Sequence, residues 1–252
     1  MSRDISPDVS TIRLFLTEPH PCSYLKNRSA TTAFVDPSMP LSAPVYDRLT
    51  DSGFRRSGKY LYIPHCQSCS ACQPSRIPVA AFQPNRQQRR CIRDNSDLEI
   101  SLQKTIDNNE HFVLYSDYIC RRHADGDMYP PTRSQYDDFI ASPFEFTRYI
   151  EFRHRGRLVA CSLVDVLDHG ISAIYTYYDP AESRRSLGTM AILTAISEAR
   201  RLDLPYVYLG YWIANCQKMR YKTRFKPIEI LSNGNWQAYS DLKGDQSEKS
   251  SG

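Results

Sequence analysis

The 252-residue chain is long enough to bury a sizeable core, and its 24% charged and 12% aromatic residues exclude a disordered polymer. A net charge of +4 does not by itself mark a nucleic-acid binder. No apolar run reaches bilayer length and the N-terminus lacks the apolar core of a signal peptide, so a cytoplasmic location with reduced thiols is expected.

Residues 1–20 read as an ordered lead-in in which Ile12, Leu14 and Leu16 alternate like an edge strand. A turn-rich segment from His20 to Pro37 follows. A short helix is expected over Pro44–Ser52 with Val45, Tyr46 and Leu49 inward and Gly53 just past its end. Phe54–Pro64 reads as a strand. Next come Cys66, Cys69 and Cys72, at successive spacings of three, which let thiolates converge on a soft ion. Zinc or an iron–sulfur cluster would suit them, with Cys22, His65 or His20 as a further ligand; the other reading is inert thiols round a turn. The strand beginning at Arg76 leads into an arginine-rich run.

Phe112, Tyr115, Tyr118 and Ile119 recur at helical spacing and predict a helix over 107–122, with another short helix over Ser134–Ile140. The period then changes. Phe146–Arg153, Arg157–Val166 and Gly170–Tyr178 read as three strands joined by tight turns. A basic loop at Arg184 and Arg185 opens a helix to Leu202, with Leu187, Ala191, Ala195 and Ala199 on one face. Tyr206–Tyr211 reads as a strand, the following residues as a short helix, and Pro227–Leu231 as a last strand.

Charge is distributed unevenly. Residues 73–93 carry Arg76, Arg86, Arg89, Arg90 and Arg93 without an acid, and residues 204–228 carry Lys218, Arg220, Lys222, Arg224 and Lys226 without an acid. On a helix Lys218 and Lys222 would share a face, as would Arg220 and Arg224. Tyr208, Tyr211, Trp212 and Tyr221 lie among them and offer rings for bases to stack on. These features suggest two walls of an anionic site that grips an RNA end.

Three strands, a basic Gly-containing loop, a helix, a strand and a shorter helix resemble an N-acetyltransferase (GNAT) core. The loop, Arg185-Ser-Leu-Gly188-Thr-Met190, has methionine where that fold usually has a small residue, which argues against acetyl-coenzyme A. Longer phrases are more specific: Cys22-Ser-Tyr-Leu, Gly53-Phe-Arg-Arg-Ser-Gly, Cys69-x-x-Cys72-x-Pro-x-Arg-Ile-Pro-Val, Arg121-x-His-x-Asp-Gly-Asp-Met, Tyr175-Thr-Tyr-Tyr-Asp and Gly210-Tyr-Trp-Ile. Over about residues 10–240 the chain resembles the arginyl/leucyl-tRNA–protein transferases.

The resemblance implies an α+β chain: an N-terminal α+β domain with the cysteine cluster (1–105), a GNAT-like mixed-sheet transferase domain (106–240) and a disordered tail (241–252). It implies transfer of leucine from leucyl-tRNA to proteins beginning with Asp or Glu, marking them for N-end-rule degradation. Arginyl transfer, acyl-coenzyme A-dependent acetylation and a non-catalytic RNA- or metal-binding module are the alternatives. Asp179, Tyr177 and Tyr115 are the candidates for accepting the proton or holding the amine. An arginine fork suits an acidic N-terminal side chain, which points to Arg76, Arg122 or Arg28. Arg184, Arg185, Tyr211, Trp212, Lys218, Arg220, Lys222 and Arg224 are the expected tRNA contacts. Cys22, Cys66, Cys69 and Cys72 are the expected metal ligands, although eukaryotic relatives have a cysteine where Leu25 stands here and the reaction itself requires no cofactor. A monomer is expected.

Overall fold

The computed structural model describes residues 12–141 and 144–240. The lead-in before Ile12 and the expected tail at 241–252 lie outside the described residues. In chain order the elements are β1 (Leu14–Leu16), β2 (His20–Pro21), β3 (Ser29–Ala30), β4 (Thr32–Val35), α1 (Ala43–Asp51), β5 (Arg55–Ser57), β6 (Tyr60–Pro64) and β7 (Gln73–Pro78). Then follow α2 (Arg86–Asp94), β8 (Glu99–Gln103), α3 (Asn108–Arg122), α4 (Arg133–Phe139), β9 (Thr147–His154), β10 (Arg157–Leu167) and β11 (Gly170–Tyr178). A 3-10 segment (Pro180–Arg185), α5 (Leu187–Arg201), β12 (Tyr206–Trp212), a second 3-10 segment (Gln217–Arg224), β13 (Glu229–Ser232) and β14 (Asn235–Ala238) complete the chain.

The chain divides into two compact units, and neither is contiguous. The first holds the residues up to Phe82, Leu167–His169 and those from Pro205 onward; the second holds Gln83–Val166 and Gly170–Leu204. These compact units do not follow a single cut of the chain at residue 105. Strand pairing explains it: β7 lies between β12, where Val207 faces Ile77, and β13, where Glu229 faces Arg76, so the C-terminal strands return to the first unit.

In the first unit, α1 buries Val45, Tyr46 and Leu49 as predicted, together with Asp47 and Thr50. It ends at Gly53, whose φ of +97° a side chain rarely adopts; a Cβ there would also stand 2.8 Å from Pro74 Cγ. The strands β1-β4-β6-β5 form a small antiparallel sheet with β1 at its edge, in line with the alternation of Leu14 and Leu16. Along β12 the pairing to β7 shifts register between Tyr208 and Gly210, and Gly210 (φ +75°) admits the Arg55 guanidinium, 3.3 Å from where a Cβ would be.

His169 also belongs to this unit. Its Nδ1 and its backbone N–H both bond the buried Asp47 carboxylate, and this partner raises the imidazole pKa. A raised value means that the contribution to stability is full below the ordinary 6.5 and is lost as pH rises through the folded value. His169 is largely exposed, so the expected effect is below about 1 kcal/mol. In thermal melts, His169→Gln should lose stability relative to wild type at pH 6, and the gap should narrow as pH rises; a gap unchanged with pH would contradict this.

In the second unit, β11-β10-β9-β8 run as antiparallel neighbours, and the β9–β10 turn places Arg155 (φ +51°) and Gly156 (φ +77°) where a two-residue hairpin needs positive φ. Leu187, Ala191, Ala195 and Ala199 of α5 are all buried, as their spacing predicts. α3 turns His111, Leu114, Tyr115, Tyr118 and Ile119 inward, toward Tyr136, Ile140, Tyr149, Leu163 and Tyr177. Each large apolar side chain buried here contributes on the order of 1.5–3 kcal/mol.

Candidate functional site

The turn that leads into α5 is held by charge. Asp179 Oδ1 accepts from the Ala181 amide at 2.8 Å, and its other oxygen bonds Arg157 at 2.5 Å. Burial acts to raise the Asp179 pKa, but Arg157 and the Ala181 amide outweigh it and leave the carboxyl below the usual range. Asp179 is thus a capping and ion-pair residue, weakened as a base. Arg185 is engaged as well: two bonds to Asp97 (2.7 and 2.9 Å) and one to Glu182 (2.9 Å) occupy its fork. Those bonds from Arg185 hold Asp97 at about 2. An open groove of about 670 Å³ lies here, lined by Arg90, Asp94, Ser96, Asp97, Glu182, Arg184 and Arg185. Of the two arginines on this turn expected to meet tRNA, Arg184 is exposed and Arg185 is committed to carboxylates.

Tyr177 and Tyr115, the other proton-acceptor candidates, are fully buried. The Tyr177 hydroxyl is 2.7 Å from His111 Nδ1, and His111 Nε2 is 2.9 Å from Glu151. A neutral imidazole protonated on Nε2 satisfies both: it donates to Glu151 and accepts from Tyr177. Burial lowers the His111 pKa and the Glu151 bond only partly opposes this, so the ring is neutral. Glu151 also accepts from Arg153, which makes two further bonds to Glu110. Burial raises Tyr177 well above the phenolic range, and raises Tyr115 too. Both tyrosines are core residues rather than bases. His111 was missed in the sequence although it stands four residues before Tyr115 on the inward stripe of α3, where Phe112 had been expected.

In the first unit, the Arg76 fork is already occupied by the protein's own carboxylates. It is buried on β7, donates to Asp51 and Glu229 at 2.7 Å each, and its Cζ sits 3.6 Å from the Tyr206 ring centroid and 4.2 Å from that of Trp236. Asp51 accepts a further bond from Tyr208. Arg28, in the turn after Cys22, and Arg122, in the last turn of α3, are each exposed.

The segment from Gln217 to Arg224 is a 3-10 helix, which eclipses residues three apart. Lys218, Tyr221 and Arg224 therefore share an exposed face, with Arg220 exposed beside it. Lys222 is turned inward and donates to the Tyr211 carbonyl; burial, then Arg55, depress its pKa to about 7. The expected Lys218–Lys222 face does not form. Tyr211 is buried with its hydroxyl donating to Gly53 and Tyr62 carbonyls, and Trp212 is buried edge-on to Tyr239, so neither ring can stack on a base. Tyr221 is the ring that is open.

Cys22, Cys66, Cys69 and Cys72 are half-buried free thiols. Burial and the neighbouring Cys22, Cys66, Cys69 and Cys216 push Cys72 up to about 11, so it is a protonated, unreactive thiol. Among the described residues no three His, Cys, Asp or Glu side chains are grouped to hold a metal ion. The donor set is soft enough for zinc, and the four thiols lie near one another, but among the described residues they do not form a group of three that could hold the ion.

Residues 20–90 match the N-terminal part, and residues 110–232 the C-terminal part, of the family described as arginine-tRNA-protein transferase. The chain belongs to the arginine-tRNA-protein transferase family. It is 53% identical over 229 residues to an aspartate/glutamate leucyltransferase of Pseudomonas fluorescens, covering 91% of this chain and 97% of that protein. It is 52% identical over 231 residues to the enzyme of the same name from Pseudomonas paraeruginosa, covering 92% and 98%. A GCN5-related glucosamine N-acetyltransferase region of a fungal multi-domain protein overlays with a TM-score of 0.43 at 8% identity, over 80% of this chain and 22% of that one. Of the basic and aromatic residues of the two expected stretches at Arg184–Arg185 and Tyr208–Arg224, Lys218, Arg220, Tyr221 and Arg224 in the first unit and Arg184 in the second are exposed. No helix among the described residues is long and apolar enough to cross a membrane.

Proposed function

We propose that the chain transfers leucine from leucyl-tRNA to the N-terminal amine of proteins beginning with Asp or Glu, marking them for degradation in the cytoplasm. The observation that carries this reading is 53% identity to an aspartate/glutamate leucyltransferase along 97% of its length. The neutral amine attacks the ester carbonyl, the new C–N bond forms, the C–O bond to the tRNA breaks, and the amine proton ends on the released 3′-hydroxyl. The ester is already activated, so holding the two reactants in line supplies most of the acceleration. This suits a site in which Asp179, Tyr177 and Tyr115 are all committed elsewhere. Lys218, Arg220 and Arg224 supply phosphate contacts, with Tyr221 as the base platform. Arg28 and Arg122 remain the readers of the acidic side chain, and a monomer suffices.

Initial rates with leucyl- and arginyl-tRNA against peptides beginning with Asp, Glu, Lys or Ala test the reading. Leucine on the Asp and Glu peptides alone is expected; arginine incorporation instead would replace the donor. Because aminolysis of an ester needs no metal, the leucine rate should survive overnight dialysis against a chelator; a loss restored by zinc or iron would place a metal at the cysteines after all.

A further inference from the structure

We propose that the outer face of α2 is a docking surface for the sugar-phosphate backbone of the donor tRNA. This rests on the leucyl-tRNA reading and adds a surface to it. Arg86, Arg89, Arg90 and Arg93 fall at i, i+3, i+4 and i+7, which places four guanidinium groups on one stripe about 10 Å long. Each is exposed, Arg90 and Arg93 at 75% and 74% of their side-chain surface. Asp94 is the one acidic residue of the helix and lies at its last position, paired with Arg90 and Arg93. Arg89 bonds only the Pro84 carbonyl among its described contacts.

Like charges three and four apart destabilise a helix, by about 0.2–0.5 kcal/mol per pair. The protein nevertheless builds this helix firmly. Asn85 and Gln88 close a capping box at its start. On the opposite face Gln88, Cys91 and Asn95 are buried, and Asn95 Nδ2 donates to the Arg185 carbonyl at 2.8 Å. The anchoring thus presents the arginine stripe outward at the edge of the groove that Arg90 shares with Arg184. An ordinary solubilising face mixes both signs evenly, whereas this one sets four arginines against the single Asp94 at its end. A membrane-surface helix would need a run of exposed large apolar residues on the face opposite its charges; here Gln88, Cys91 and Asn95 of that face are packed inside the protein, and Ile92 at its flank is the one large apolar residue of α2 that is exposed. A polyanion with regularly spaced charges, such as RNA, fits the stripe.

The test uses the full chain with Arg86→Gln, Arg89→Gln and Arg93→Gln combined, the same three sites changed to Lys, and Arg201→Gln as a surface control. Measured with an Asp-initiated peptide, the triple Gln variant should raise KM for leucyl-tRNA at least tenfold and leave kcat and the peptide KM unchanged. The slope of log affinity for a deacylated leucine tRNA transcript against log salt should fall by roughly two, since each phosphate contact contributes about 0.7–0.9. The triple Lys variant and Arg201→Gln should stay near wild type. A triple Gln variant with wild-type KM and salt slope overturns the proposal. So does loss of binding to anionic phospholipid vesicles with tRNA affinity intact, which would assign the face to a membrane. If the wild-type protein transfers no leucine at all, the function falls separately, and the transcript-binding comparison alone decides the fate of α2.

Discussion

Arg76→Ala should lower the melting temperature by roughly 6–12 °C, as expected for a loss of about 3 kcal/mol in a domain-sized protein. The guanidinium is 9% exposed and is the shared cation of Asp51, at the end of α1, and of Glu229, which the β7–β13 pairing sets opposite Arg76. Its removal leaves them facing each other, deprives the Tyr208 hydroxyl's acceptor of its counter-charge, and strips the Tyr206 and Trp236 rings of a sandwiched cation. Because Asp51 is half exposed, water recovers part of the loss, which keeps the figure below the upper end for a fully buried pair. Arg76→Lys restores the charge but neither the planar stacking nor the two-directional fork, and about half of the deficit should remain. Circular dichroism melts check both variants. Should Arg76→Ala melt like wild type while losing only its preference for acidic peptides, Arg76 would be a substrate reader after all.

The second large effect concerns Lys222. Burial, reinforced by Arg55, depresses its pKa from 10.5 to about 7. Such a depression corresponds to roughly 5 kcal/mol of penalty on the charged form. The sign follows from proton binding: between those two values the unfolded chain holds a proton that the folded chain has released, so stability rises with pH across that window. The penalty is full below pH 7 and is relieved on the way to pH 10.5. Lys222→Met should therefore be more stable than wild type at pH 6, by a few kcal/mol after subtracting about 1 kcal/mol for the lost bond to the Tyr211 carbonyl, and the gap should close toward pH 10. Denaturant unfolding at both pH values measures it. A variant less stable than wild type by the same amount at both would mean that Lys222 is charged and satisfied in the folded protein. Its tRNA KM should be unchanged, because Lys222 does not reach the surface.

Elements with a strong apolar period were legible in the sequence. The small residues Ala191, Ala195 and Ala199 announce the buried face of α5, and the three strands from Thr147 to Tyr178 were bounded within a few residues by the Arg155-Gly156 turn and Asp179-Pro180. α2 was not legible as a helix, because its inward face is made of Gln88, Cys91 and Asn95 and shows no apolar period. β14 was missed for a related reason: four residues paired only with β13 leave too short a pattern. At the site, residue type pointed correctly to a basic surface but not to the direction of each side chain. Lys218 and Lys222 look equivalent on a 3.6-residue helix, and the 3-10 geometry separates them, one to solvent and the other beneath the Tyr211 carbonyl. Arg76 could have been suspected from Glu229, but their contact arises from a ladder between strands 153 residues apart, which no local pattern encodes.

The product of the reaction is the most direct test of leucine transfer. An Asp-initiated peptide incubated with the protein and leucyl-tRNA should gain the mass of one leucine residue, with sequencing placing leucine ahead of the aspartate. An unmodified peptide, with the leucyl ester intact or merely hydrolysed, would contradict the transferase reading at its centre.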